Sequence, residues 1–570
     1  MNLKHILDQQ ISQVLSEISG DPTCQAIVNH SKSAQFGDYQ ANGVMALAKR
    51  LRLNPKELAE KVNNKLELSE FAETIDIAGP GFINISISKD FLTKQLNLLD
   101  KDQLVKKSND KQIVVIDYSS PNLAKEMHVG HLRGTIIGDA IARTFEWMGY
   151  RLIRQNHFGD WGTQFGMLIT YMFEQGGATT KLSNLETFYR AAKKRFDDDA
   201  DFAAKARENV VKLQSGDEQC LQLWKSFIDI SILHCQELYK KLNITLTEND
   251  VVPESFYNDK LAGIIETLDK QGLLTESDGA RCVFLDEFKN KEGDMLPTIV
   301  QKSDGGYLYA TTDLAGIEYR CQTLHANRVL YVVDARQGLH FQQVFNVAKL
   351  AGLADEKCSL EHLSYGTMMG KDGKPFKTRS GDTIKLIDLI EEGIQRAYTL
   401  VESKNPDLSK AEKQRIANVV GISAIKYADL SKNRNSDYIF DWDSMLSFEG
   451  NTAPYLLYAF ARIRSIFKRA QLDADAEYKI CIESPEEKVL ALKLLQFTEV
   501  VEALLLDCYP NQLCLYLYEL AGNFMSFYEA CPVLKSEGEV MQSRLGLCQL
   551  AALTLNQGLS LLGIETLDKM

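Results

Sequence analysis

Ile113-Val114-Val115-Ile116 is a run of β-branched apolar residues with no polar interruption, and it narrows the folds open to this chain more than any other stretch. A strand with no polar face is covered on both sides, as in parallel sheets flanked by helices. A polar loop follows it, and then helical periodicity from about His128 to Met148. Arg328-Val329-Leu330-Tyr331-Val332-Val333, followed by a helical stretch from about His340 to Leu350, repeats the pattern. Strand, loop and helix in this order predict an α/β, doubly wound parallel sheet, whose ligand crevice lies at the carboxyl ends of the strands.

A chain of 570 residues exceeds what one hydrophobic core serves, and roughly three domains are expected. Residues 1–108 combine helical periodicity with one alternating strand, Phe82 to Ser88, behind the turn Gly79-Pro80-Gly81, which fits a small α+β domain. The polar run 106–111 reads as a linker. Residues 109–445 then form the sheet domain, with charged, largely helical insertions at about 170–300. Residues 446–570 form an all-α domain, rich in clusters such as Leu504-Leu505-Leu506.

The amino-terminal stretch MNLKHILDQQISQVL carries charges and glutamines within its apolar pattern, so an amphipathic helix is expected there and not a signal peptide. No apolar run reaches the ~18 residues of a membrane span, and a cytoplasmic protein is expected. Eleven cysteines contain no Cys-x-x-Cys pair. Cys321 with His325 and Cys358 with His362 share a Cys-x3-His spacing, but reduced, buried thiols are the expectation and no protein metal site is assigned. A formal charge of −13 argues against a general polyanion binder, though not against nucleic acid met by local basic surfaces.

The segment from Asp117 to His131, DYSSPNLAKEMHVGH, follows the first buried strand directly. His128 and His131 are three positions apart, so at a helix start both imidazoles project from the same end and face. With the free N–H groups and positive dipole of the helix tip they make a receptor for a phosphate whose charge is rising. Gly130, lacking a side chain, lets an adenine ring approach the backbone.

This segment resembles the HIGH signature of class I aminoacyl-tRNA synthetases, and SSPNLAKEMHVGHLRGTIIGDA resembles the arginyl-tRNA synthetase version of it. Residues 156–166 (NHFGDWGTQFG), 36–43 (FGDYQANG), Asp334-Ala335-Arg336-Gln337 and the terminal Met570 are similar to the same family. The likeness spans essentially the whole chain. It implies a Rossmann-like, HIGH-type catalytic domain, a small N-terminal tRNA-contacting domain and a helical anticodon-binding domain. It also implies ATP-dependent ligation of L-arginine to tRNA(Arg) through an adenylate, with ATP and Mg2+ as substrate, activation that waits for tRNA, and a monomer. The KMSK loop of the class departs from pattern: its place reads GKDGKPFKTR over residues 370–379. Lys374 and Lys377 keep its cations, and the resemblance assigns part of the missing charge to Lys125.

A guanidinium is planar, permanently charged and presents a fork of donors, so its site calls for buried acids. The resemblance assigns it to Asp117 and Asp313 with Tyr309, and gives the α-amino and carboxylate ends to Asn122 and Gln337. The aromatic content of residues 307–312 predicts a strand leading into Asp313. For tRNA, the helix from Tyr455 to Arg469 combines an aromatic edge with four cations, suited to stacking on bases and meeting a backbone. By family position Tyr455, Ala459, Tyr528 and Met570 form the anticodon pocket, and Asn84 lies on a strand at the tRNA corner, a structural asparagine being an equal contender there. Two rivals stand beside this reading: a small-acid adenylate-forming ligase that needs no RNA, and a catalytically dead RNA-binding paralogue.

Overall fold

The apolar run forms the strand Ile113–Asp117, and Val114, Val115 and Ile116 are all buried. In the computed structural model, which describes residues 1–109, 111–123, 125–176, 185–376 and 384–570, this strand sits inside a four-stranded parallel sheet. Arg328–Tyr331 flanks it on one side and Arg151–Gln155 on the other, with Ser359–His362 beyond Arg328–Tyr331. The register places His362, Tyr331, Asp117 and Gln155 side by side in the last row at the carboxyl edge. The expected parallel, Rossmann-like arrangement is present.

The helices Val129–Trp147 and Gly338–Leu350 follow two of these strands. The Val129 helix is buried around most of its circumference, and its buried Arg133 pairs with Asp429 at 3.1 Å. At Gly138 a Cβ would stand 2.3 Å from the Cβ of Tyr118, so only glycine lets the helix lie this close to the chain leaving the strand.

Between the strands lie the helices Leu185–Asp198, Ala200–Gln214, Glu218–Lys241 and Leu261–Lys270. An antiparallel sheet of Thr275–Ser277, Ala280–Val283 and Thr298–Gln301 accompanies them, unannounced by the helical character of this stretch. The strand expected over residues 307–312 is instead the start of the helix Tyr309–Glu318. Its buried residues, Ala310 and Thr311 and then Leu314, Ala315, Gly316 and Ile317, recur about one helical turn apart and do not alternate, a period that six residues are too short to reveal.

Two compact units make up the chain. One is Ser108–Ser447 with Leu561–Ile564; the other is Met1–Lys107, Phe448–Ser560 and Glu565–Met570. In the second, the helix Leu3–Ser19 buries Leu3, Leu7, Ile11 and Leu15, as its amphipathic pattern predicts. An antiparallel sheet of Val28–His30, Tyr39–Ala41, Phe82–Ile87 and Ala72–Ala78 follows. The carboxyl-terminal part is a helical bundle that includes Ala453–Ala470, Phe497–Asp507, Pro510–Ala530 and Gly538–Leu561. Glu499 on the second of these helices ties the two ends of the chain together, accepting from the Tyr39 hydroxyl at 2.8 Å and from the Lys4 N–H at 3.0 Å. No helix among the described residues is long and apolar enough to cross a membrane.

Candidate active site

The carboxyl edge of the parallel sheet is organised by an arginine that local sequence gives no reason to single out. Arg320, buried at the end of the Tyr309–Glu318 helix, donates to Asp117 at 2.6 Å and to Gln155 at 2.5 Å, and its guanidinium lies 4.8 Å from the centre of the Tyr331 ring. Asp117 therefore reaches the crevice with its charge already answered. Beyond it the chain turns sharply through Ser119 (φ 71°) and Ser120 (φ 43°), a left-handed pair without glycine. Each such residue costs on the order of 1–3 kcal/mol, and surrounding hydrogen bonds hold the turn. Ser120 Oγ donates to Asp117 at 2.7 Å and accepts the His157 N–H at 2.9 Å, while Ser119 Oγ sits 2.8 Å from Thr135 Oγ1 and 2.7 Å from the Tyr239 hydroxyl.

Above this turn opens a cavity of about 410 Å³, the size of a small-ligand site. Asp117, Asn122, Tyr309, Asp313 and Gln337 all line it, so the residues expected around arginine come together in one place. Tyr309, 72% exposed, and Asp313 are one turn apart on their helix and share a face. Asp313 meets His340 Nε2 at 2.6 Å. A further acid in the wall, Glu254, was missed in the sequence. It opens the 3-10 helix Glu254–Lys260, where its neighbour Ser255 is held by Asp160, through the Ser255 N–H at 2.9 Å and its hydroxyl. Burial, reinforced by the charges of Asp160 and Asp313, pushes the Glu254 carboxyl up to about 8. Among the described residues its side chain has no hydrogen-bond partner. The one local hint of such an acid is its position after the β-branched pair Val251-Val252, much as Asp117 follows Ile113 to Ile116.

The histidine pair stands beside the cavity without lining it. His128 caps the Val129–Trp147 helix, its Nδ1 accepting the Gly130 N–H at 3.1 Å, and His131 Nδ1 accepts the His128 N–H at 3.1 Å. Each ring spends Nδ1 as an acceptor, so each neutral ring carries its hydrogen on Nε2 and donates from there. The rings are 4.0 Å apart. Burial, then the nearby His128 and Lys125 charges, hold His131 down to about 3, so this ring stays uncharged at working pH. Gly130 has a local purpose: a Cβ there would stand 2.9 Å from the His128 ring and displace it. Thr135 joins this turn to the cavity wall, donating to the His131 carbonyl at 2.8 Å while meeting Ser119.

Of the lysines, Lys125 sits over the Tyr189 ring at 4.9 Å and lines a different cavity, with His234, Lys241 and Glu391. Lys374 lies on an exposed turn closed by a Gly370 N–H to Lys374 carbonyl bond of 2.7 Å. Lys377 lies outside the described residues. The Ile384 carbonyl accepts the Val129 N–H at 3.0 Å and Lys385 pairs with Glu126 at 2.6 Å, which fastens these two residues to the histidine turn.

Comparison with known proteins agrees with this geometry. Residues 94–442 match the tRNA synthetases class I (R) catalytic domain, 456–570 the DALR anticodon binding domain and 4–87 the arginyl tRNA synthetase N terminal domain. The arginine--tRNA ligases of Marinomonas sp. and Hahella chejuensis are 56% and 55% identical to this chain, with 100% of each chain covered. The chain belongs to the arginyl-tRNA synthetase family. Its fold overlays on the arginyl-tRNA synthetase of Plasmodium falciparum with a TM-score of 0.87 at 32% identity, covering 100% of this chain and 99% of that one. The Thermus thermophilus arginyl-tRNA synthetase gives 0.84 at 26% identity, with 100% of both chains covered.

In an arginyl-tRNA synthetase the helices beyond Ala453 belong to the anticodon-binding part, and here the expected residues divide. Tyr528 and Met570 line a cavity of about 360 Å³ together with Arg462, Arg469 and Lys569, and the Arg462 guanidinium lies 5.1 Å from the centre of the Tyr528 ring. Tyr455 does not line it and packs edge-on against Tyr518, 5.6 Å between centres. Ala459 faces inward, 0% exposed, and its methyl is part of the bundle core. Asn84 is likewise buried, 4% exposed, its carbonyl oxygen accepting from Gln40 at 2.8 Å. Of the two alternatives open for Asn84, this environment favours the structural one.

Proposed function

We propose that the cavity at the carboxyl edge of the sheet receives arginine, its guanidinium between Glu254 and Asp313 beside Tyr309, and its α-amino and carboxylate ends toward Asn122 and Gln337. The observation that carries this reading is the set of cavity acids: Asp117 is neutralised within the protein by the Arg320 guanidinium, whereas among the described residues Glu254 has no partner and Asp313 meets only the His340 imidazole, so these two face the cavity for a cation. A planar fork of donors satisfies two carboxylates at once, whereas the single ammonium of lysine leaves acceptors unpaired. The guanidinium role thus shifts from Asp117 to Glu254, and Asp117 shapes the Ser119-Ser120 turn.

The chain joins arginine to tRNA. A carboxylate oxygen of arginine attacks the α-phosphorus of ATP, supplied with Mg2+ as substrate, and pyrophosphate leaves. The terminal ribose hydroxyl of tRNA(Arg) then attacks the carbonyl carbon and AMP departs. No protein nucleophile is needed, and the rate rests on alignment and on donors aimed at developing charge. His128 and His131 act as neutral Nε2–H donors to the phosphate, and Lys125, Lys374 and Lys377 supply cationic charge. Residues 1–108 and 446–570 hold the tRNA, with Tyr528, Met570 and Arg462 at the anticodon. The enzyme works as a cytoplasmic monomer.

Exchange of labelled pyrophosphate into ATP tests the reading. Exchange is expected with arginine when tRNA is present, and not with lysine. Exchange without RNA points to a small-acid ligase, and none under any condition overturns the catalytic reading.

A further inference from the structure

The histidines around the cavity are locked in opposite senses. His128 and His131 spend Nδ1 accepting backbone N–H groups, which leaves Nε2–H donors. His157 does the reverse: its Nδ1 lies 3.0 Å from the Val252 carbonyl oxygen. A carbonyl oxygen only accepts, so Nδ1 carries the hydrogen and the neutral ring keeps a lone pair on Nε2. That nitrogen has no hydrogen-bond partner among the described residues, and it is not an enclosed, orphaned atom. The ring lines the cavity.

We propose that His157 Nε2 accepts a hydrogen bond from the α-ammonium of bound arginine, an inference that rests on the arginine reading of the cavity. Position along the substrate decides which cationic end it meets. The carboxylate that attacks ATP lies next to the histidine turn, and the α-ammonium is one carbon from it, while the guanidinium is at the far end of the side chain. The wall that adjoins the histidine turn is the Ser119 to Asn122 loop, through Ser119, Thr135 and the His131 carbonyl. His157 belongs to that wall, because its own N–H donates to Ser120 Oγ at 2.9 Å. An ammonium has three N–H donors, and Asn122, Gln337 and His157 offer three side-chain acceptors in the same cavity.

Asparagine places its amide nitrogen near Nδ1 and keeps the bond to Val252 without the acceptor; glutamine reaches toward Nε2 with an acceptor oxygen. Titration calorimetry with arginine and with 5-guanidinopentanoate, which is arginine without its α-amine, reads the difference. For His157→Asn, arginine affinity falls about tenfold while affinity for the amine-free compound changes by less than about twofold, and His157→Gln stays within about threefold of the parent for arginine. Thermal melting of both variants is expected to match the parent. Equal losses for the two ligands, or no loss for arginine, overturn the assignment. A parent protein that binds neither compound overturns the arginine reading itself, a failure seen before any substitution is made.

Discussion

The cavity and the histidine turn are neighbours built on one loop, yet they treat polarity in opposite ways. In the cavity the protein leaves Glu254 unanswered, and burial with two neighbouring acids holds its proton on until a cation arrives. At the turn the protein answers itself: each imidazole Nδ1 has a backbone donor, and His131 is kept neutral by burial before any ligand binds. A region that must hold a ligand leaves charge for the ligand to satisfy. One that must stabilise charge only as it develops has its rings fixed before any ligand binds.

Substitutions on either side test that contrast. Asp313→Ala strips one of the two acids, and kcat/KM for arginine should fall about 1000-fold, within the 2–5 kcal/mol that truncating one partner of a charge pair costs. Steady-state kinetics should place the loss in KM for arginine, with KM for ATP little changed; a loss confined to kcat would erase the distinction. His131→Ala should cost about 100-fold in kcat, as removal of one transition-state donor does. KM for arginine should move by less than about threefold, and a large rise in it would return the histidine to ground-state binding.

The acidity of Glu254 provides the third and smallest effect. With its carboxyl raised to about 8, the empty cavity is protonated there at pH 7, and the ionised form is the one a guanidinium pairs with. Arginine binding therefore releases a proton. Affinity should climb about fivefold from pH 7 to 8, and about twofold more before levelling off near pH 9, measurable by calorimetry in buffers of different ionisation enthalpy. Asp313→Ala removes one of the charges that raise this group and should flatten the slope, while an affinity independent of pH would show Glu254 already ionised when empty. His131, charged only near pH 3, contributes no step to kcat in this range.

Much of this site was legible in the chain. Unbroken β-branched strands announce a buried parallel sheet, and Asp117, Asn122 and Gln337 converge because strand ends and the loops after them meet at one edge, whereas Asp313 reaches the same cavity from a helix where a strand was expected. What escaped has physical reasons. Glu254 enters from a loop that pairs along residues 156–158, through Val252 N–H to Asn156 and Glu254 N–H to Phe158 bonds, and no local periodicity marks that pairing. Arg320 is 203 positions from Asp117, so nothing near either residue tells that the aspartate arrives already paired. Ala459 and Asn84, assigned to tRNA by family position alone, are both buried here, and local sequence carries no sign of that.

Gly138 gives the Val129 helix the character of a lever. It lies ten residues along from His128, about 15 Å at the rise of an α-helix, and rests directly on Tyr118 at the root of the Ser119-Ser120 turn. A single methyl added at this fulcrum has nowhere to go but into that tyrosine. The whole rod must then tilt or slide, carrying the imidazoles at its tip out of line with the loop they serve. Substitutions far from any ligand along this rod therefore belong to the chemistry as much as to the packing.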